Sequence, residues 1–445
     1  TFMCNSGSVW AGRIDEGGWY HKLMSYEETP RHRERLRHEA FRETQLMGLL
    51  FCICSKMKKS DFQEVIVMKE EWIQEAVKIR RTLHRYPELS EQEFKTTAFI
   101  QEKLTEWGIS YRPLKTPTGV VAEIGTKEAP VIALRADMDA LPIHEQTDLD
   151  YRSEHDGVMH ACGHDFHTAS LLMAAKILKE KEESLNGKIR FIFQPAEEMN
   201  RGARALIAEG VLEGVDAIIG FHNKPELPVG TIGIKSGPLM AAVGQFSVEL
   251  KGVGTHAAAP HNGNDPIVTA CQIITNLQAI VSRHVSPLSP AVLSISHIEG
   301  GNTWNVIPER VFFEGTIRTF YKKDQEKIRS LMDHMVHQMA AVYGQKAHME
   351  WIMTPPVVDN DEEVTEIVKE TTEQFATVVT PELTLGAEDF ANYMEYVPGC
   401  FAFIGTGCPY EWHHPSFVVD DAALKDAISY FVENSQALLN RYKKG

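Results

Sequence analysis

The chain has 445 residues, 43% hydrophobic and 24% charged, the balance of an ordinary globular protein long enough for more than one core. A formal net charge of −16 argues against nucleic acid as a partner, because phosphate recognition needs a basic surface, and no apolar run reaches the roughly 20 residues of a spanning helix. Small molecules are the expected partners, with no membrane association, and seven cysteines without a disulfide-like framework point to the cytoplasm.

Residues 1–67 have sparse periodicity, a basic run from Arg31 to His38 and a short apolar patch from Leu46 to Cys54. They read as an N-terminal extension rather than a domain, and the patch lies too far in, without a small-residue cleavage site, for a secretory signal. Helical spacing begins after Met68. Trp72, Ala76, Ile79 and Leu83 mark a first helix from Glu70 to Tyr86, and Ser90 with Glu93 reads as a capping box ahead of a second helix ending at Trp107. Strands are expected at Gly119 to Ile124 and Val131 to Arg135, a helix from His167 to Leu178, a strand at Lys188 to Phe193, a helix near Ala203 and a strand at Ala217 to Phe221. That alternation predicts an α/β fold with a mostly parallel sheet.

After Gly237 the pattern changes. A strand (Gln245 to Lys251), a helix (Pro266 to Ser282), strands at Ala291 to Ile298 and Val311 to Thr319, a helix (Asp324 to Tyr343) and a strand (Ala347 to Ile352) give the order β-α-β-β-α-β. This is the ferredoxin-like order and predicts an inserted α+β domain. Beyond Pro355 a helix (Glu362 to Phe375), the strand Gly399 to Gly405 and a last helix (Ala422 to Leu439) return to the first sheet. The expected division is therefore a first domain at 68–243 and 356–445 and an inserted domain at 244–355.

Ligands of a hydrolytic metal pair mix soft or borderline groups with carboxylates and sit on strand ends. In His160-Ala-Cys-Gly-His164-Asp-Phe-His167, a turn at Gly163 could aim Cys162 and His164 at one point before a helix N-terminus. Glu197 and Glu198 follow a predicted strand at the carboxyl edge, where adjacent carboxylates are costly unless something positive neutralises them. Read alone, that pair is a solvated loop or the first turn of a helix. His222-Asn223 ends the next strand, and His413-His414-Pro415 lies beyond a strand of the returning segment.

These segments, with Arg135-Ala-Asp-Met-Asp-Ala-Leu-Pro142, Gln194-Pro-Ala-Glu-Glu198, Gly252-Val-Gly-Thr-His256, Asn305-Val-Ile-Pro308, Gly315-Thr-Ile-Arg318 and Gly386-Ala-Glu-Asp389, carry a specific resemblance. The chain resembles, from Met68 onward, the amidohydrolase branch of the aminoacylase/carboxypeptidase metallopeptidase superfamily, which includes hippurate hydrolases, indole-acetyl-amino-acid hydrolases and N-acetyl-diaminopimelate deacetylases. The resemblance implies two divalent metal ions per chain, bridged by Cys162 as thiolate, with His164, Glu198, His222 and His413 as the other ligands and Glu197 free as the catalytic base. His413 is preferred to His414 because the family form is His-x-Pro with the first histidine coordinating. Where other branches carry His-x-Asp and a bridging Asp, this chain has Asp137-Met-Asp139 and Cys162, as its own branch does. Asp139 and Asp165 are either residues that orient a ligand or structural ones. Thiolate softness favours zinc, relatives with the cysteine often use manganese, and cobalt is a third candidate.

The resemblance also implies that His256 stabilises the oxyanion, reaching the centre of a partner subunit or of its own chain after closure, so that the inserted domain serves as dimer contact and lid. Asn305, Arg318 and Gly386 are the implied substrate contacts, with Arg318 as the carboxylate clamp. Glu388 and Asp389 are expected to brace the metal side, and His155, His160 and His167 to give local support. The activity implied is hydrolysis of small N-acyl amino acids, acetylated or aromatic-acylated, to a carboxylate and an amino acid. A dipeptidase or carboxypeptidase using the same centre is the nearest rival, and a noncatalytic metal-dependent binding protein a more distant one.

Overall fold

The computed structural model describes residues 68–352 and 354–443, together with two short strands, Phe2–Met3 and Val9–Trp10, which pair antiparallel with each other. Apart from that pair, the expectation for residues 1–67 lies outside the described residues.

Helices α1 (Glu70–Arg85) and α2 (Phe94–Glu106) come first, then β1 (Tyr111–Arg112), β2 (Val120–Ile124), β3 (Val131–Asp137), α3 (His164–Lys179), β4 (Lys188–Gln194), α4 (Gly202–Ala208) and β5 (Ala217–Lys224). The short strands β6 (Thr231–Gly233) and β7 (Gly237–Met240) lead to β8 (Ala242–Lys251), β9 (Thr255–His256), α5 (Pro266–His284), β10 (Ala291–Gly300), β11 (Val306–Ile307), β12 (Arg310–Thr319), α6 (Lys322–Val342) and β13 (Lys346–Ile352). The chain returns through β14 (Val358–Asn360), α7 (Glu362–Thr372), β15 (Thr377–Val379), α8 (Ala391–Met394), β16 (Gly399–Gly405) and α9 (Leu424–Tyr442).

One sheet has the order β15-β6-β16-β5-β3-β4-β2-β1, with its central strands β16, β5, β3 and β4 parallel. Every residue of β3 and β16 is buried, as expected of parallel strands covered on both faces. Ile132, Leu134 and Ala136 pack with Phe166 and Leu171 of α3 and Phe431 of α9, whereas Val131 and Ala133 face the opposite cluster with Leu206, Phe390 and Phe403. Period-2 alternation thus divides the sequence of β3 between two apolar layers. Its carboxyl end is left as the place where polar side chains gather.

The β-α-β-β-α-β segment forms a second, antiparallel sheet in the order β10-β12-β8-β13. Phe246, Val248 and Leu250 of β8 point to one face, where Ile273, Leu277 and Ile280 of α5 and Ile328, Met332 and Val336 of α6 cover them. Helix α5 begins as its sequence suggests, with the Asp265 carboxylate accepting from the Ile267 and Val268 backbone N–H groups and Pro266 in the first turn.

Three details depart from the expectations. The strands β6, β7, β14 and β15, of three or four residues each, were not expected. Helix α3 starts at His164 rather than His167. The capping box does not form: the Ser90 hydroxyl donates to Asp139 Oδ2 at 2.7 Å, and Glu93 accepts from the Thr118 hydroxyl and the Ala196 N–H. The first-turn N–H groups of Lys95 and Thr96 are instead taken by the Glu88 carboxylate. Buried tertiary partners outcompete the local cap because each would otherwise lose a hydrogen bond. Both residues consequently serve the carboxyl edge of the sheet.

Candidate metal centre

The loops after β3, β4 and β16 and the end of β5 meet at that edge, the usual place for a site in an open α/β sheet. Gly163, at φ 86°, occupies the left-handed region and turns the chain directly into α3, so that Cys162 and His164 flank the turn. Cys162 Sγ lies 3.3 Å from His222 Nε2. His164 Nε2 and His413 Nε2 lie 3.9 and 3.5 Å from the same Glu198 oxygen, Oε1. Cys162, His164 and His222 each place a ligand atom within 4.8 Å of the other two, as do Cys162, Glu198 and His413, and His164, Glu197 and Glu198. Cys162 is common to the first two groups.

The histidines are turned for coordination. His164 Nδ1–H donates to Asp139 Oδ1 at 3.2 Å and His222 Nδ1–H to the Asn223 carbonyl at 2.8 Å, so each turns its Nε2 to the cluster. His164 Nε2 and Glu198 Oε1 are buried without a hydrogen-bond partner. A buried polar atom left so costs about 1–3 kcal/mol. A cation between them would relieve both costs, and soft, imidazole and carboxylate donors together suit a divalent transition metal.

The electrostatics agree. Asp137, Asp139, Glu197, Glu388 and Asp389 are all buried, with Glu198 beside them, and the Arg135 guanidinium pairs with Asp137, Glu388 and Asp389. Two like charges about 4 Å apart repel by about 4 kcal/mol at an effective dielectric near 20, so this set calls for further positive charge. Burial opposes protonation of His164, but Asp137, Asp139 and Glu198 raise it to about 10. Burial, then Glu198, Glu197 and Asp137, hold the Cys162 thiol well above its ordinary range. A bound cation would reverse both tendencies, favouring neutral imidazole and thiolate.

Glu197 and Glu198 each bring an oxygen within 4.8 Å of the other and of a His164 nitrogen, but their further contacts differ. Glu198 faces His164 and His413, while Glu197 Oε1 accepts the Asp389 N–H at 3.3 Å. Burial, followed by Glu388, Glu198 and Asp389, pushes the Glu197 carboxyl well above the usual range. Arg135 binds Asp137 at 2.7 Å and Glu388 and Asp389 at 2.9 Å, and Asp389 also accepts from Gln194 and the Ala203 N–H. Glu388 and Asp389 therefore brace Arg135 and the neighbourhood of Glu197.

Asp139 touches both sides of the cluster: Oδ1 accepts from His164, and Oδ2 from the Ser90 hydroxyl and the Glu198 N–H. Asp165 is placed elsewhere. Its Oδ2 accepts from Arg80 Nε at 3.2 Å and His84 Nδ1 at 2.9 Å, because one helical step from His164 turns it towards α1. His167 donates from Nδ1 to Asp137 at 2.6 Å and accepts the Asn223 N–H at Nε2, which occupies both its nitrogens.

The residues expected to contact substrate are not gathered with this cluster. His256 is exposed on the β9–β11 ribbon, where the Ala257 N–H donates to the Asn305 carbonyl. The two glycines before it answer to close packing, since a Cβ at Gly252 would stand 2.2 Å from the Asn264 carbonyl oxygen and one at Gly254 3.0 Å from that of Ile307. Arg318 spends Nε on the Leu385 carbonyl and Nη1 on Thr316 and the Ile317 carbonyl, so its planar fork is partly engaged. Through Leu385 it lies next to Gly386, which in turn borders Met240 and Trp412. From the sequence Ser90 and Glu93 read only as a helix cap, and Asn223 and Trp412 have no assigned role at the site. Only the positions of Asn223 and Trp412, each beside a histidine of the cluster, hinted at them.

A parallel α/β sheet with a Cys, His and carboxylate cluster at its carboxyl edge and an inserted β-α-β-β-α-β unit defines the class of two-domain α/β metallohydrolases. The chain belongs to peptidase family M20/M25/M40, whose model matches residues 133–436. It is 52% identical over 364 residues to an N-acetyl-L-cysteine deacetylase of Bacillus subtilis (strain 168), covering 81% of this chain and 88% of the relative. It is 38% identical over 377 residues to thermostable carboxypeptidase 1 of Saccharolobus solfataricus, covering 82% and 94%. A solved Bacillus subtilis structure described as a dinuclear metal-binding peptidase of the M20 family superposes with a TM-score of 0.75 at 44% identity, covering 84% of this chain and 99% of that one.

Proposed function

We propose that the chain is a two-metal amidohydrolase that hydrolyses small N-acyl amino acids. The observation that carries this reading is the sharing of Cys162 between a group with His164 and His222 and a group with Glu198 and His413, the arrangement a bridging thiolate requires. The similarity to a deacetylase at 52% identity supports acetyl as an acyl group. Bound divalent ions would acidify a water and polarise the scissile carbonyl. Manganese, zinc and cobalt all suit the donor set.

The protein's own part follows from its geometry. Glu197, held against the Asp389 N–H beside the ligand cluster, takes a proton from the attacking water and passes it to the leaving nitrogen. The new carbon–oxygen bond forms from that water, the amide carbon–nitrogen bond breaks, and the products are a carboxylate and an amino acid. Asp139 fixes the ring of His164. Arg318, with Asn305 and Gly386, is assigned to the carboxylate of the amino acid, with Nη2 left for it. Residues 244–355 are assigned as an inserted domain that acts as lid and homodimer contact, between the flanks 68–243 and 356–445 of the catalytic domain. No helix among the described residues is long and apolar enough to cross a membrane, and the thiols of Cys162, Cys271, Cys400 and Cys408 are free, which supports a reducing cytoplasm.

The similarity to a carboxypeptidase keeps dipeptide hydrolysis as a second reading. Initial rates with N-acetyl amino acids and with dipeptides bearing a free amino terminus, each with manganese, cobalt or zinc alone, separate the two. Preference for the acyl compounds is expected, and preference for free dipeptides would replace the proposal with the second reading. Thiol alkylation gives an independent check on Cys162. In a variant retaining only this cysteine, bound metal is expected to slow inactivation. Equal rates with and without metal would remove Cys162 from the ligand set.

A further inference from the structure

The loops that carry Cys162, His222 and His413 are joined by one side chain that is itself no ligand. Asn223 Nδ2 donates to the Cys162 carbonyl at 2.5 Å and to His167 Nε2 at 3.1 Å, and its Oδ1 accepts from Trp412 Nε1 at 3.1 Å. The indole can only donate and the carbonyl can only accept, so the amide has one usable orientation. The Asn223 backbone carbonyl accepts from His222 Nδ1 at 2.8 Å and from Trp412 Nε1 at 3.2 Å. The same residue therefore sets the tautomer of His222. The Trp412 ring stands edge-on to the His222 ring, with centroids 4.7 Å apart, and the next residue, His413, donates its backbone N–H to the Ala161 carbonyl at 2.9 Å.

Gly163 belongs to this arrangement as well. A Cβ there would lie 2.4 Å from Asn223 Nδ2, so the glycine of the Cys-Gly-His turn leaves the space that the amide occupies. His413 holds φ 65°, a conformation that a residue with a side chain keeps only when its surroundings impose it. The Trp412 bonds before it and the bond from its own N–H to the Ala161 carbonyl supply that constraint.

We infer that Asn223, braced by Trp412, is a positioning residue that sets metal affinity by holding the Cys162, His222 and His413 loops in one geometry. This rests on the ligand reading above. Asn223 is fully buried, and removing its amide takes the partner from the Cys162 carbonyl and leaves the indole N–H only the longer bond to the backbone carbonyl of residue 223, so the loops relax and the ligand atoms separate. Loss of such a supporting group weakens metal binding by about 10–100-fold.

The test titrates full-length, metal-stripped protein with Co2+ alone against a competing chelator, reading affinity, stoichiometry and the sulfur-to-cobalt absorption of a Cys162 thiolate. Asn223→Ala is expected to bind two ions about 10–100-fold more weakly, with the absorption restored at saturation. Trp412→Phe keeps an aromatic ring beside His222 but loses the indole N–H and part of the ring, and a smaller loss in the same direction is expected. Wild-type affinity in both variants overturns the inference. A lower Tm of the metal-free variants with unchanged affinity of the folded protein also overturns it, since that is a structural role alone. If Asn223→Ala does not fold, Trp412→Phe decides. Wild-type protein that binds no Co2+, or binds it without the thiolate absorption, would instead refute the ligand reading.

Discussion

Glu197→Gln is expected to lower kcat by about 10²–10⁴ while both metal ions stay bound, the range for loss of a positioned acid-base group. Glu198→Gln is expected to lose metal as well as activity. The contrast follows from what surrounds the two side chains. Glu198 Oε1, buried without a hydrogen-bond partner, lies within 4 Å of two imidazole nitrogens, the surroundings of a ligand atom. Glu197 is turned towards Glu388 and Asp389, and burial in that negative surrounding raises its proton affinity. Glutamine keeps the size of the side chain and removes its basicity. Metal analysis beside steady-state kinetics checks the pair, and equal metal loss in both variants would cancel the division of roles.

His256→Ala is expected to lower kcat by about 10²–10³ with metal content unchanged, the scale for one oxyanion donor. His256 Nδ1 accepts the Ala258 N–H at 3.0 Å, which places the proton of the neutral ring on Nε2 and makes the outward nitrogen a donor. A donor is what a developing oxyanion requires. The ring is exposed and makes no hydrogen bond or ion pair with Cys162, His164, Glu198, His222 or His413, so the role requires closure of the inserted domain or a second subunit. Loss of activity with KM little changed is the signature of an interaction made in the transition state. Near-normal turnover, or a loss explained wholly by metal occupancy, would exclude His256 from the chemistry.

The four elements that carry the cluster were legible in the sequence because they follow strands whose apolar character marks them as central and parallel, while the choice of ligands within them came from the family resemblance. Cys162 and His164 share one turn, Glu198, His222 and His413 come from other loops or strand ends, and placing those strands side by side brings them together. What the sequence concealed depends on partners distant along the chain. Ser90 and Glu93 have the spacing of a cap, but Asp139 and Ala196 claim them across the fold. Asp165 lies beside a cluster histidine in sequence, yet the helical turn carries it to Arg80 and His84. Asn223 showed no chemistry of its own, and its role emerges only where β5 meets the α3 turn and the Trp412 loop. The short strands β6 and β15 have too few residues to show a period and are held by pairing with neighbours.

Titration of the metal-stripped full-length protein with Mn2+, followed by the rate of hydrolysis of an N-acetyl amino acid and by metal content, tests the two-metal reading most directly. Activity absent without metal, and rising until two ions are bound per chain, is the expected result. Undiminished hydrolysis by the stripped protein, or a full rate with a single ion bound, would contradict it.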